Sequence, residues 1–284
     1  MSDRTCIWIQ SDLQLDEPEA ARSVLHEAVE DIRRLSLPLA GVWCLGDALA
    51  GSDLDDLEQV AETTVQLLER LDVPICYVLG NHEMDARREL GVNHYPLYEL
   101  TKNRPGWHTL RSLSDFYFSQ EWFGYQVYFF GDHAAIDGSW FTSHGVVQDD
   151  PASDYPHLPS VYRRLRDEMM ASSRPILTAS HYAYPGGQRH STLHEQLLPL
   201  SSMVRGHFYG HAHIGDLVFN SERPWDRKNP IIGHELIQYN ISALESLRSP
   251  GSHSAVLSFE AGGCLRLRIR CHLQKEWIDE FWIA

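Results

Sequence analysis

Val204-Arg205-Gly206-His207-Phe208-Tyr209-Gly210-His211-Ala212-His213 sets the pattern of this chain: a short, mostly apolar run gives way at once to metal-binding side chains. The pattern recurs upstream. Cys6–Gln10 leads to Asp12, residues 40–45 to Gly46-Asp47, residues 74–79 to Gly80-Asn81-His82, and residues 176–179 to His181. Short apolar runs bounded by turn residues read as buried strands. In an α/β sheet the carboxyl ends of such strands converge on one edge, where these folds place ligands. Two carboxylates (Asp12, Asp47), one carboxamide (Asn81) and three imidazoles (His181, His211, His213) brought to one edge make a divalent-metal site, with donors enough for two ions.

The segments between these runs support the same architecture. Residues 16–35 predict a helix capped by Asp16, with Pro18 in the first turn and Ala21, Val24, Leu25, Ala28 and Ile32 on one face. Residues 53–71 predict a second helix, so the chain opens as βαβαβ and builds a largely parallel sheet with right-handed crossovers. Residues 115–120 and 125–130 read as a hairpin turning near Phe123-Gly124, and residues 160–171 as a helix. Strands follow at 236–241, 254–260 and 265–273, with Gly262-Gly263 as a turn. Parallel units followed by antiparallel ones predict two packed sheets with helices outside. Residues 1–284 read as a single domain, and 94–160, rich in aromatics and histidine, as its variable substrate-recognition region.

Composition narrows the function classes. The 39 acidic and 24 basic residues leave a formal charge of −15, which disfavours long nucleic acid, since such binding depends on cationic side chains neutralising phosphates. The five cysteines, Cys6, Cys44, Cys76, Cys264 and Cys271, are odd in number and irregularly spaced, so no disulfide framework is expected. No apolar leader or membrane-length span is visible, so a cytoplasmic location without membrane contact is expected. The apolar stretch 277–283 is expected to pack on the core, with a homodimer contact as the second option. With 16 histidines in 284 residues, a lone His means little, and only the strand-end positions carry weight.

The order Asp12, Gly46-Asp47, Gly80-Asn81-His82, His181, Gly210-His211-Ala212-His213 resembles the calcineurin-like metallophosphoesterase superfamily over residues 5 to 214. The resemblance implies a four-layer α/β/β/α sandwich of two mixed sheets flanked by helices. It implies a first metal held by Asp12, Asp47 and His213, with Asp47 bridging to a second metal that Asn81, His181 and His211 complete. His82 stays unligated and faces the substrate phosphate. The implied reaction is in-line attack by a metal-bridging hydroxide, the two ions clamping the attacking and leaving oxygens. His82 then protonates the leaving alkoxide or binds a non-bridging oxygen.

One block departs from the superfamily pattern. Asp-x-His is usual in the first block, and here it is Asp12-Leu13-Gln14. Gln14 either ligates the first metal through its amide oxygen or bonds a metal-bound water. A hard, neutral amide oxygen favours Mn²⁺, with Mg²⁺, Fe²⁺, Zn²⁺ and Co²⁺ as alternatives. An Asp-x-Gln block also occurs in the branch that hydrolyses ADP-ribose and CDP-alcohols, which implies a small phosphodiester or nucleotide pyrophosphate as substrate. A phosphomonoesterase or protein phosphatase is the alternative, followed by a nuclease and a non-catalytic binding module. Taken singly, Asp12 and Asp47 also read as helix caps, although Asp16 and Ser52 or Asp53 are better placed for that. Asn81-His82 also reads as a plain turn. His144 and His190 compete with His181, which wins by following a strand directly. His94, Arg104, Trp107, His108, His133, His144, Tyr155, His157, Arg163 and Arg164 are candidate substrate contacts, and Tyr182 and Tyr184 candidate stacking faces for a base.

Overall fold

The computed structural model describes residues 5–14, 17–49, 54–84, 95–111, 115–131, 140–142, 145–147, 158–184, 197–214, 226–231, 234–245 and 251–283. Its strands are β1 (Cys6–Gln10), β2 (Leu39–Leu45), β3 (Ile75–Val78), β4 (Trp107–His108), β5 (Tyr117–Trp122), β6 (Tyr125–Phe130), β7 (Trp140–Thr142), β8 (Gly145–Val147), β9 (Ile176–Ser180), β10 (Val204–Tyr209), β11 (Lys228–Pro230), β12 (Ile237–Asn240), β13 (His253–Phe259), β14 (Leu265–Cys271) and β15 (Glu276–Ile283). The helices are α1 (Pro18–Arg34), α2 (Leu54–Glu69), α3 (Pro96–Thr101) and α4 (Leu158–Ala171).

The strands form two mixed sheets, ordered β15-β14-β13-β1-β2-β3-β4 and β11-β12-β10-β9-β6-β5, with β7 and β8 as a separate hairpin. β1 to β4 run parallel, as do β6, β9, β10 and β12, and antiparallel strands extend both sheets. The expected arrangement of two mixed sheets flanked by helices is the observed one.

Strand alternation divides the core in two. Ile7, Ile9, Trp43, Leu45, Cys76 and Val78 face Val127, Phe129, Leu177, Ala179 and Phe208 between the sheets. Trp43 anchors this layer, edge-on to Phe129 at 5.2 Å and to Phe208 at 5.9 Å between ring centroids. The other face of the first sheet, with Trp8, Val42, Cys44 and Tyr77, takes Leu25, Val29, Val60 and Leu68 of α1 and α2. Burying large side chains on both faces fixes each strand's register, because a slip of one residue would exchange the faces.

Boundaries differ from expectation where the caps do. α1 starts at Pro18 with Glu17 as its N-cap and no side-chain capping bond; Asp16, Ser52 and Asp53 lie outside the described residues. All five cysteines are free, four of them buried. The C-terminal stretch is an edge strand that packs unevenly. Ile283 is buried, whereas Trp282 is 58 % exposed beneath the Arg266 guanidinium.

One buried polar network ties α1 to the sheet. Arg270 donates two bonds of 2.8 Å to the Asp31 carboxylate, and His272 Nδ1 donates a third at 2.9 Å. Ser254 links His272 Nε2 to the Trp8 indole, each contact 2.7 Å long. Burial raises the Asp31 carboxyl, but the bonds from Arg270 and His272 outweigh it and hold it well below the usual range. A depressed native pKa contributes stability above the unfolded value of about 3.9, and that stability is lost as pH falls toward the native value. Asp31→Asn is therefore expected to cost about 3–5 kcal/mol near neutral pH, because it strands a buried guanidinium. Urea unfolding at pH 7 and pH 3 checks it, and the gap between variant and wild type should narrow at the lower pH.

Candidate metal centre

The parallel strands of both sheets deliver their carboxyl ends to one edge, and the loops there are bonded to one another. Asp12 N donates to Gly46 O at 3.1 Å and Gln14 N to Asp47 O at 3.0 Å, laying the loop after β1 on the loop after β2. The β3 loop approaches just as closely. A Cβ at Gly80 would lie 2.6 Å from the Asp47 amide nitrogen and overlap its carboxylate. Asp12, Asp47 and His211 all adopt left-handed backbone, with φ of 55°, 50° and 60°. Such conformations cost about 1–3 kcal/mol each away from glycine and persist where surrounding structure enforces them.

These loops place the side chains in two adjoining groups. In one, His181 Nε2 lies 3.0 Å from Asp47 Oδ2, 3.0 Å from Asn81 Oδ1 and 3.2 Å from His211 Nδ1. In the other, His213 Nε2 lies 3.0 Å from Asp12 Oδ1, while Asp12 Oδ2 accepts the His211 backbone N–H at 2.8 Å. His82 N donates to Asp47 Oδ1 at 2.8 Å, with its ring Nε2 3.9 Å from Asp47 Oδ2. Gln14 is buried beside them, joined through its main chain.

The chemistry of this donor set fits a divalent cation. His181 Nδ1 faces the Leu45 carbonyl at 2.9 Å, so that nitrogen carries the proton and the Nε2 lone pair points into the cluster. There it faces Asp47 Oδ2, Asn81 Oδ1 and His211 Nδ1. Ligand atoms of Asp47, His181 and His211 all lie within 4.8 Å of one another. Acceptors so arranged in a buried site need a positive charge among them. In the protein without metal, protonated imidazole supplies it. Burial opposes a charge on His181, but Asp47 and Asp12 override it and raise its pKa to about 10. Burial likewise pushes the two aspartates up, and the histidines win: His213 and His181 hold Asp12 below its ordinary value, as His181 and His82 do Asp47.

Two further carboxylates enter the site. Glu83 is buried and accepts backbone N–H groups from Asp47 (2.9 Å), Ala48 (2.8 Å) and Gly80 (2.7 Å), clamping the β2 and β3 loops together. Burial and the Asp47 charge push its carboxyl up to about 7. Glu245, in the turn that follows β12, lies 3.1 Å from His213 Nδ1. Sequence reading singled out neither for the site. The available signal for Glu245 was its place just past another strand end.

Several other candidates are elsewhere. Tyr182 and Tyr184 are buried, packed on His211 and His207 at 4.5 Å and 4.8 Å between centroids. Both are packing residues rather than open faces for a base. Arg104 and Trp107 both bond Glu69 at the end of α2, on the opposite edge of the sheet from the site. Arg164 bonds the Tyr117 hydroxyl at 3.0 Å. His94, His133, His144, Tyr155, His157 and His190 lie outside the described residues.

Comparison with known proteins identifies the family. A family model described as calcineurin-like phosphoesterase matches residues 7–215. No curated protein matches the sequence. Among solved structures, the chain is similar to the purple acid phosphatase PPD1 of yellow lupin (Lupinus luteus) seeds, at 14 % identity and a TM-score of 0.65. All of this chain is covered there but only 54 % of the lupin protein, so the chain spans about half of that relative's length. It is also similar to GAP50 of Plasmodium, described as the anchor in the inner membrane complex, at 12 % identity and a TM-score of 0.58, covering 99 % and 88 % of the two chains. TT1561 of Thermus thermophilus matches at 10 % identity and a TM-score of 0.51, covering 98 % of each chain. At these identities the neighbours show the fold.

Proposed function

The chain belongs to the calcineurin-like phosphoesterase family, and we propose that it is a metal-dependent phosphoester hydrolase that uses a dinuclear centre to cleave a small phosphodiester or nucleotide pyrophosphate. The observation that carries the dinuclear reading is the pair of adjoining donor groups, each with an imidazole Nε2 turned inward and its Nδ1 backed by an oxygen acceptor. Asp12, Gln14, Asp47 and His213 would hold one ion, and Asp47, Asn81, His181 and His211 the other. When bound, the ions supply Lewis-acid charge for the phosphate oxygens and a nucleophile from water at neutral pH, for in-line displacement. The amide oxygens of Gln14 and Asn81 favour Mn²⁺.

The chain's own residues do the rest. Asp47 fixes His82 through the backbone bond to its Oδ1. The His82 ring remains partly open beside buried ligands, where it can meet a substrate phosphate and carry a proton to the leaving oxygen. Gln14, the position that departs from Asp-x-His, supports the diester or pyrophosphate class. The net charge of −15 supports a small substrate over long nucleic acid. Among the described residues no helix is long and apolar enough to cross a membrane, and we read the protein as acting in the cytoplasm on a small solute. A homodimer through the C-terminal strand is the remaining assembly proposal, offered by the exposed Trp282.

A metal-reconstituted screen tests this. Chelated protein is titrated with Mn²⁺, Mg²⁺, Fe²⁺, Zn²⁺ or Co²⁺ and assayed on p-nitrophenyl phosphate, bis(p-nitrophenyl) phosphate and ADP-ribose. The expected result is metal-dependent turnover, best with Mn²⁺, favouring the diester or ADP-ribose. Turnover of the monoester alone would replace the diester reading by a phosphomonoesterase. Full metal loading with no turnover of any substrate would point to a binding module. Gln14→His should shift the preference toward Zn²⁺ or Co²⁺, and an unchanged preference would remove Gln14 from the first metal.

A further inference from the structure

We propose that Glu245 is a positioning residue for the first metal, holding His213 in the tautomer whose Nε2 faces Asp12. The inference rests on the metal centre proposed above and adds a residue outside the 7–215 stretch that the family model matches. β12 is a further parallel strand of the second sheet, and its carboxyl end reaches the same edge as the others. The chain beyond it is laid on the first block. Leu244 N donates to Ser11 O and Glu245 N to Asp12 O, both at 2.9 Å. Glu245 therefore holds the Asp12 main chain with its backbone and His213 with its side chain. Asn240 braces the other side, donating to Ala212 O at 2.7 Å between the two histidines.

The direction of the His213 ring follows. Its two nitrogens each face a carboxylate, Nδ1 to Glu245 Oε1 at 3.1 Å and Nε2 to Asp12 Oδ1 at 3.0 Å. A neutral imidazole has one proton to give. With the proton on Nδ1 and bonded to Glu245, the Nε2 lone pair is left for a cation shared with Asp12. With the opposite tautomer, Nε2–H would occupy that place and Nδ1 would set its lone pair against a buried carboxylate. Leu45 O does for His181 what Glu245 does for His213, but as a neutral carbonyl. An oxygen acceptor on Nδ1–H orients the ring and raises the basicity of Nε2 as a ligand. Partners of this kind typically contribute about 10–100-fold to metal affinity.

Equilibrium dialysis of the full chain with Mn²⁺ measures the effect. Wild type should bind two ions; Glu245→Ala should bind one as wild type does and the other about 10–100-fold more weakly. Glu245→Gln keeps an oxygen acceptor for Nδ1–H and should recover most of that loss. Equal Mn²⁺ binding by wild type and Glu245→Ala would overturn the inference, as would a Glu245→Gln protein no better than Glu245→Ala. A wild type that binds no Mn²⁺ would overturn the metal centre itself. ¹⁵N NMR of histidine-labelled, Zn²⁺-loaded wild type needs no variant to fold. It should show His213 protonated at Nδ1, and protonation at Nε2 instead would sink the idea.

Discussion

His82→Ala should lower kcat about 10²–10⁴-fold, the range expected for loss of a placed general acid, with bound metal unchanged. The residue combines a fixed backbone with a partly open ring. Its backbone is fixed by the 2.8 Å bond to Asp47 Oδ1, yet its side chain is 21 % exposed against 1 % for Asp47. A fixed ring at the mouth of a buried cluster can meet a substrate without being consumed as a ligand. The nature of the leaving group separates its two roles. A p-nitrophenolate departs without a proton, whereas an alkoxide needs one. If His82 is the acid, the loss should be far larger for an alkyl phosphodiester than for bis(p-nitrophenyl) phosphate. Equal losses on both would assign it to binding a non-bridging oxygen. Undiminished turnover on both would remove it from the chemistry.

How much of this site can be read from sequence depends on whether a residue's partner is local. Asp12, Asp47, Asn81, His181 and His211 each follow a strand by one to three positions, and strand ends can be read from apolar runs. Their convergence then needs only the parallel topology that βαβαβ implies. Glu83 is visible beside His82, but its task is to accept N–H groups 35 and 36 residues earlier, and no local pattern encodes that. Glu245 is hidden for the same reason: its partner, His213, is 32 residues away. The strand β4 has two residues, too few to show a period. β15 hides behind a register shift at Ile269/Arg270 of its partner strand. Opposite that shift Ile278 is the extra residue, so Trp277 faces the helix layer while Phe281 and Ile283 face the other sheet. A bulge thus breaks the two-residue period by which a strand is read.

Gly80→Ala should reduce turnover about 10²-fold, as expected when a reacting constellation moves by about 1 Å, and lower stability by about 1–3 kcal/mol through overpacking. Nothing in the local backbone forbids the change, because Gly80 is not in the left-handed region. The obstacle is space. The new methyl would lie 2.6 Å from the Asp47 amide nitrogen, and Asp47 cannot retreat freely. Its N–H is held by Glu83 at 2.9 Å and its carbonyl by the Gln14 amide at 3.0 Å. The β3 loop must yield instead, carrying Asn81 and His82 out of line with His181. Gly206→Ala in β10 is the control, since its Cβ would find its nearest neighbour, Tyr239, at an ordinary 3.5 Å. Steady-state kinetics, metal content and urea unfolding on both variants decide the matter. If Gly80→Ala behaves like Gly206→Ala, the close approach of the two loops is not what aligns the centre. If Gly80→Ala alone fails in turnover while keeping its fold, the loop contact sets the position of Asn81 and His82.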